Sequence, residues 1–215
     1  MTKMINMIDV GYTDKINLAW KPYLNEINYL LSFNPLIKSF NSEKHCHLQL
    51  AITDEHNSDP KNFNVYKKKE CSSFFKIDED IINKRTGKNP SDLELESVVK
   101  IGCTRLDEIL ISLKPVFNYL KIDTQGSDLN VIKSAGKFLK DIWAVEAEVF
   151  FSSFYENAPM ADEVVKFMDN TGDFRLVADL RKPNPLFGDF LFINHNAPQE
   201  FLDLIGKIYY KCKSL

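Results

Sequence analysis

A short apolar run, Tyr119-Leu120-Lys121-Ile122, ends on an acid, Asp123. A polar turn holding Gln125 and Gly126 follows, and Ser127 or Asp128 opens a helix expected over residues 128–139. Strand, tight turn and helix in that order make half of a βαβ unit. Open α/β sheets bind their ligands at the carboxyl ends of such strands, where Asp123 stands. This one segment therefore restricts both the fold and the place to look for a site.

The same alternation recurs along the chain. Strands are expected over residues 4–8, Ile27–Phe33, 47–52, 62–67, 93–103, 118–122, 143–150, 174–180 and 189–194. Helices are expected over residues 16–25, with Pro22 a weak point, and over 105–113, 128–139, 161–170 and 199–211. Thr104-Arg105-Leu106-Asp107 looks like a capping box with Asp at its last position. Residues 78–92 are polar, carry Gly87 and Pro90, and read as a surface loop. Strands alternating with helices give a mostly parallel sheet covered on both faces. The last two strands are joined by a Pro- and Gly-bearing loop, residues 182–188, too short for a helical crossover, so they pair antiparallel.

The 215 residues fit a single domain spanning the whole chain, and a chain of this length buries a large core. Hydrophobic content of 44% and a net charge of −3 describe an ordinary globular protein and argue against a nucleic-acid footprint. No apolar run approaches the ~20 residues of a membrane span. Cys46, Cys71, Cys103 and Cys212 are scattered, with no paired spacing for a metal or redox motif, and no signal peptide is evident. A cytoplasmic chain with reduced thiols is expected. The run Lys67-Lys68-Lys69 reads as solvated loop. His45, His47, His56 and His195 lack zinc spacing and form no Ser-His-Asp order, so they read as structural or exposed.

Several positions carry candidate chemistry. Asp9-Val10-Gly11 ends the first strand, where a glycine lets the backbone approach a ligand, although an ordinary strand–helix turn looks the same. Asn34, before Pro35, stands where nucleotide sites place an acid for the ribose; it is otherwise a turn residue. Its amide both donates and accepts but lacks the charge-assisted bond. Thr53 and Asp54 follow the third strand, where a purine would lie, and are equally plain loop residues. Ser72 and Ser73 offer hydroxyls near a cofactor tail or form a hairpin edge. Lys121 sits in an apolar strand and needs Asp9, Asp123 or Glu146 as a partner, or else snorkels to solvent. Glu146 and Glu148 share one face of their strand, where two acids are costly unless used or paired.

Taken together these segments resemble the FkbM family of S-adenosylmethionine-dependent methyltransferases. The resemblance rests on Asp9-Val10-Gly11, Phe33-Asn34-Pro35 (Phe-Glu-Pro in the family), Ser72-Ser73 and Thr104 to Asp107. Its strongest part is Lys121-Ile122-Asp123-Thr124-Gln125-Gly126-Ser127-Asp128, running into Leu129 to Ala135. Glu146-Ala147-Glu148, Phe154-Tyr155 and Gly188 to Phe192 complete it. The resemblance implies a class I methyltransferase fold: a Rossmann-like, mostly parallel seven-stranded sheet with an antiparallel C-terminal hairpin. It implies S-adenosyl-L-methionine as cofactor, held by Asp9, Gly11, Tyr12, Asn34, Thr53, Asp54 and Ser73. It implies a small-molecule or glycan acceptor, methylated on a sugar or secondary-metabolite hydroxyl. Asp123 is the first choice of base, Glu146 the second, with Lys121 in the catalytic set. Asn34 and Tyr12 depart from the family pattern, and the alternative they allow is a catalytically decayed fold kept for binding.

Overall fold

The computed structural model describes residues 5–13, 19–56, 59–80, 90–113, 116–179 and 186–209. Met4, the first part of the helix expected over 16–25, residues 81–89 of the expected loop, residues 182–185 and residues 210–212 lie outside these.

The main sheet has eight strands in the order β11-β12-β10-β9-β1-β2-β4-β3. They are β1 (Ile5–Val10), β2 (Ile27–Phe33), β3 (Phe40–Asn41), β4 (His45–Leu48), β9 (Tyr119–Ile122), β10 (Ala144–Phe150), β11 (Phe174–Asp179) and β12 (Phe187–Asn194). β1 pairs parallel with β2 and β9, β2 with β4, and β9 with β10; β12 runs antiparallel to β10 and β11. The large, mostly parallel sheet agrees with the expectation. The count differs because Phe40–Asn41 folds back on β4 as a two-residue edge strand.

Side-chain alternation along these strands makes two cores. Ile8, Val10, Leu120, Ile122, Val145 and Ala147 face one way and pack on the helices α1 (Leu106–Leu110), α2 (Asp128–Ser134) and α3 (Ala161–Thr171). Ile5, Met7, Tyr119, Ala144, Leu191 and Ile193 face the other way, against Trp20 and α4 (Gln199–Ile208). Gly172 ends α3 in the left-handed conformation, the expected stop signal. The helix expected over 128–139 is α2 followed by a 3₁₀ turn, Gly136–Asp141. Around Pro22 the chain forms only a 3₁₀ helix, Lys21–Glu26.

Two strand expectations are corrected. The apolar pattern over 47–52 is continuous, but the backbone turns at Leu50, whose N–H bonds the Leu48 carbonyl (2.9 Å). Ala51–Ile52 (β5) then leaves the main sheet to pair in parallel with Cys103–Thr104 (β8). Between β5 and β8, residues 53–102 form an insertion carrying an antiparallel ribbon, β6 (Lys61–Tyr66) and β7 (Leu95–Ile101). The strand expected over 93–103 therefore joins this ribbon rather than an edge of the main sheet. The capping box forms one residue later than expected: Glu108 Oε2 accepts from Arg105 N–H (3.4 Å) and from the Thr104 hydroxyl (2.8 Å).

Candidate active site

In a doubly wound sheet the crevice lies where the chain turns from one direction of strand addition to the other. Here that point is β1, flanked by β2 and β9. The two turns at the carboxyl ends of β1 and β9 touch. Gly11 has φ of +93°, and a Cβ there would lie 1.8 Å from the Asp123 carbonyl oxygen. Asp123 N–H in turn donates to the Val10 carbonyl (2.9 Å). Only glycine allows this approach.

Beyond the contact opens a cleft of about 260 Å³. Gly11 and Thr13 line it from β1, Phe33 and Asn34 from β2, Ile52 from β5, and Asp123, Gln125 and Ser127 from the β9 corner. Phe63, Ser72 and Phe74 of the insertion form its outer wall. A second cleft of about 290 Å³, which includes Thr53 and Asn130, shares Ile52, Phe74 and Ser127 with the first. Together they give the room of a nucleoside-sized ligand, roughly 300–1,000 Å³. The Ser127 hydroxyl lies at this shared wall, buried and with no hydrogen-bond partner among the described residues. A buried hydroxyl in that state is a donor and acceptor awaiting a ligand's polar atom.

The β9 corner is held by its own side chains. Gln125 is a non-glycine residue in the left-handed region, φ +56°. Its Nε2 donates to Asp123 Oδ1 and to Glu148 Oε2, both at 2.7 Å. Its Oε1 accepts from the Tyr155 hydroxyl (2.9 Å) and its carbonyl accepts from Ser73 Oγ (2.7 Å). An unfavourable backbone held by so many contacts is typical of functional corners. Asp128 closes the turn by accepting from Gly126 N–H (3.2 Å) and the Thr124 hydroxyl (3.1 Å). Burial, then the charge of Asp123, pushes the Asp128 carboxyl up to about 7 despite those bonds. Burial likewise holds Glu148 well above the usual carboxylate range, with Asp123, Asp128 and Asp189 adding to it.

Directly beneath lies a row set by register: Asp9 pairs with Lys121, and Lys121 with Glu146. Lys121 Nζ is 3.7 Å from Asp9 Oδ1. Burial alone would lower the lysine's pKa. The carboxylates of Asp9, Asp123, Glu146 and Asp189 outweigh it, and the pKa rises, so Lys121 stays charged. Of the partners the sequence leaves open, Asp9 is the one in ion-pair range.

The structure separates the expected site residues. Gly11, Asn34 and Asp123 line the main cleft, and Thr53 lines its neighbour. Tyr12, expected at the cofactor, turns inward instead: its ring packs on His45 and His47 at 5.1 and 5.3 Å. Asp54 is turned toward α2 and α1, its carboxylate accepting from Asn130 (2.8 Å) and its carbonyl from Arg105 (2.5 Å). Ser73 supports Gln125, and Asp9 and Lys121 lie below the cleft. Glu146, the second choice of base, is committed elsewhere. Its Oε2 accepts from the Tyr119 and Tyr209 hydroxyls at 2.6 and 2.5 Å, and Trp20 Nε1 donates to Tyr209 (2.8 Å). That network pins the end of α4 to the sheet. Asn34 also does more than line the cleft. Its Nδ2 donates to the Tyr12 carbonyl and its Oδ1 accepts from Leu36 N–H, both at 2.8 Å. The two backbone partners fix which way the amide points. Gln125 and Ser127 were given no role from the sequence, although both fall inside the motif after β9; Glu148 was read there only as one of two acids sharing a strand face. Lys67 and Lys69 of the lysine run pair with Glu94, just before β7, and Glu96 on it.

A mostly parallel sheet with a glycine turn, an amide side chain and a carboxylate converging on one crevice is the arrangement in which open α/β proteins place their ligands. The chain belongs to the FkbM methyltransferase family: the family model described as "Methyltransferase FkbM domain" matches residues 9–176. No curated protein and no solved structure shows a significant match. Among the described residues no helix is long and apolar enough to cross a membrane.

Proposed function

We propose that this methyltransferase uses S-adenosyl-L-methionine and methylates a hydroxyl oxygen of a small molecule or glycan, of the sugar or secondary-metabolite class. The observation that carries the reading is the juxtaposition of the Gly11 turn and Asp123 across one cleft. The lining suits the cofactor: Phe33, Ile52, Phe63 and Phe74 offer apolar faces to a purine, while Asn34, Ser72 and Ser127 offer polar groups to a ribose. The Asp123 carboxylate complements a positive centre.

When bound, S-adenosylmethionine supplies a methyl group already activated on a sulfonium. The chain's own task is then to align the acceptor and remove its proton. Gln125 holds Asp123 through Oδ1. Oδ2 accepts no hydrogen bond among the described residues and is the atom that takes the hydroxyl proton. A positioned base of this kind contributes about 10²–10⁴-fold. Asp123→Asn should therefore lower methyl transfer to a hydroxyl acceptor by that factor while cofactor still binds, as read by labelled-methyl incorporation beside a binding titration. Unchanged turnover would remove Asp123 as base. Binding without turnover for the native chain, over a broad panel of hydroxyl compounds, would leave a binding protein instead.

A further inference from the structure

Among the described residues β7 has one hydrogen-bonded neighbour. β6 covers one of its edges from Lys61↔Ile101 to Tyr66↔Leu95, and no third strand of the described residues joins the ribbon. Which main-chain groups face the other edge follows from Asn64. Its N–H donates to the Ser73 carbonyl (2.8 Å) and its carbonyl accepts from Ser73 N–H (3.0 Å), so both point away from β7. Residues opposite each other in an antiparallel ladder exchange both bonds or neither. Asn64 lies opposite Val98, so Val98 also turns its N–H and C=O away from β6, toward the open side. Lys100, two residues on and opposite Asn62, does the same. The side chains agree: residues 94 to 98 and Lys100 are exposed, and Val98, an apolar residue, is 50% exposed. A β-edge of this kind is a template for another strand.

We propose that this edge pairs antiparallel with the same edge of a second copy of the chain, about a two-fold axis through Val98. The charges choose the register among those centred on an outward-facing residue. An axis at Val98 sets Glu96 of each copy, which Lys69 of its own chain also holds, opposite Lys100 of the other. An axis at Lys100 would oppose two lysines, and one at Glu96 two glutamates. Such a contact is isologous and self-complementary, as a two-fold dimer requires. The two Val98 residues exchange two main-chain bonds at the axis, and their side chains cover one another. A bulge between Val65 and Tyr66 ends the regular register at Glu96, so the contact is short and the dimer should be of micromolar strength. It joins the insertions that wall the two clefts and is independent of the reaction assigned above.

Sedimentation velocity over the micromolar range tests this with three variants, each checked by circular dichroism for an unchanged fold. The native chain should shift from monomer to dimer with concentration. Val98→Pro removes an N–H that β6 does not use, so it should stay folded and be monomeric. Lys100→Glu should also be monomeric, because it faces Glu96 of the other copy. The double variant Lys100→Glu with Glu96→Lys should dimerise again. A native chain that is monomeric throughout overturns the proposal and leaves Glu96 and Lys100 as guards of the edge. So does a dimer that Val98→Pro and Lys100→Glu leave intact, or a double variant that fails to recover.

Discussion

The turns after β1 and β9 meet at one contact yet are built differently. The β9 corner is tied by side chains from four regions: Gln125 joins Asp123, Glu148, Tyr155 and Ser73. The β1 corner depends on backbone: a glycine without room for a side chain, and one amide, Asn34, bracing the Tyr12 carbonyl. Cross-tied side chains fix a reacting group, which matters when misplacement by an ångström costs catalysis. A backbone cradle leaves space for a ligand to supply the missing contacts. In the proposed reaction the difference supports separate tasks for the corners, the chemistry for β9 and cofactor binding for β1.

The largest effect should come from the one residue that both corners share. Gly11→Ala places a methyl group on the Asp123 carbonyl at a backbone angle that side chains avoid. It should lower stability by about 4 kcal/mol or more, seen as a steep drop in the thermal midpoint. A near-native midpoint would mean that the corners are not in contact.

Gln125→Leu tests the cross-tie. It strips the amide donor from Asp123 and Glu148 and leaves two half-buried acceptors wanting, which costs about 1–3 kcal/mol. Turnover should fall beyond what the lost stability explains, because Asp123 is no longer held. Equal turnover per folded molecule would show that the clamp is only structural.

Asn34→Asp probes the other corner. The carboxylate still accepts from Leu36 N–H but cannot donate to the Tyr12 carbonyl, so the loop loosens. Cofactor affinity should weaken about tenfold, or ~1.4 kcal/mol. Tighter binding would instead show that position 34 acts through the ribose, as an acid would.

The last effect is one of pH. The ordinary Asp value is 3.8, and the native Asp128 is raised to about 7. Between those values the folded chain holds a proton that the unfolded chain has released, so stability falls as pH rises through that window. Glu148 is shifted in the same direction. The thermal midpoint should therefore decline from the acid side toward neutrality. Asp128→Asn should flatten the slope, and an unchanged slope would place the proton elsewhere.

What could be read from the sequence was what local pattern encodes. The β9 corner was legible because strand, acid, glycine turn and helix are adjacent in the chain, and β2 was found to the residue because its apolar run stops at Asn34-Pro35. What escaped depended on partners distant in sequence. Period-two alternation finds a strand over 93–103 but not the partner that takes it out of the main sheet. The pattern across 47–52 is unbroken although the backbone turns at Leu50. Glu146 and Glu148 were read correctly as sharing a face. Their separate fates, one under two phenols and the other beside Gln125, depend on Tyr209 and on the Gln125 backbone. Tyr12 looked like a cofactor contact because it stands beside Gly11; only the packing of His45 and His47 shows its ring turned inward.

The central claim is that the two corners together hold a methyl donor. Calorimetric titration of the intact chain with S-adenosylmethionine tests it most directly. One molecule bound per chain is expected, with weaker binding in Asn34→Asp and retained binding in Asp123→Asn. No heat and no thermal shift at millimolar cofactor would contradict it.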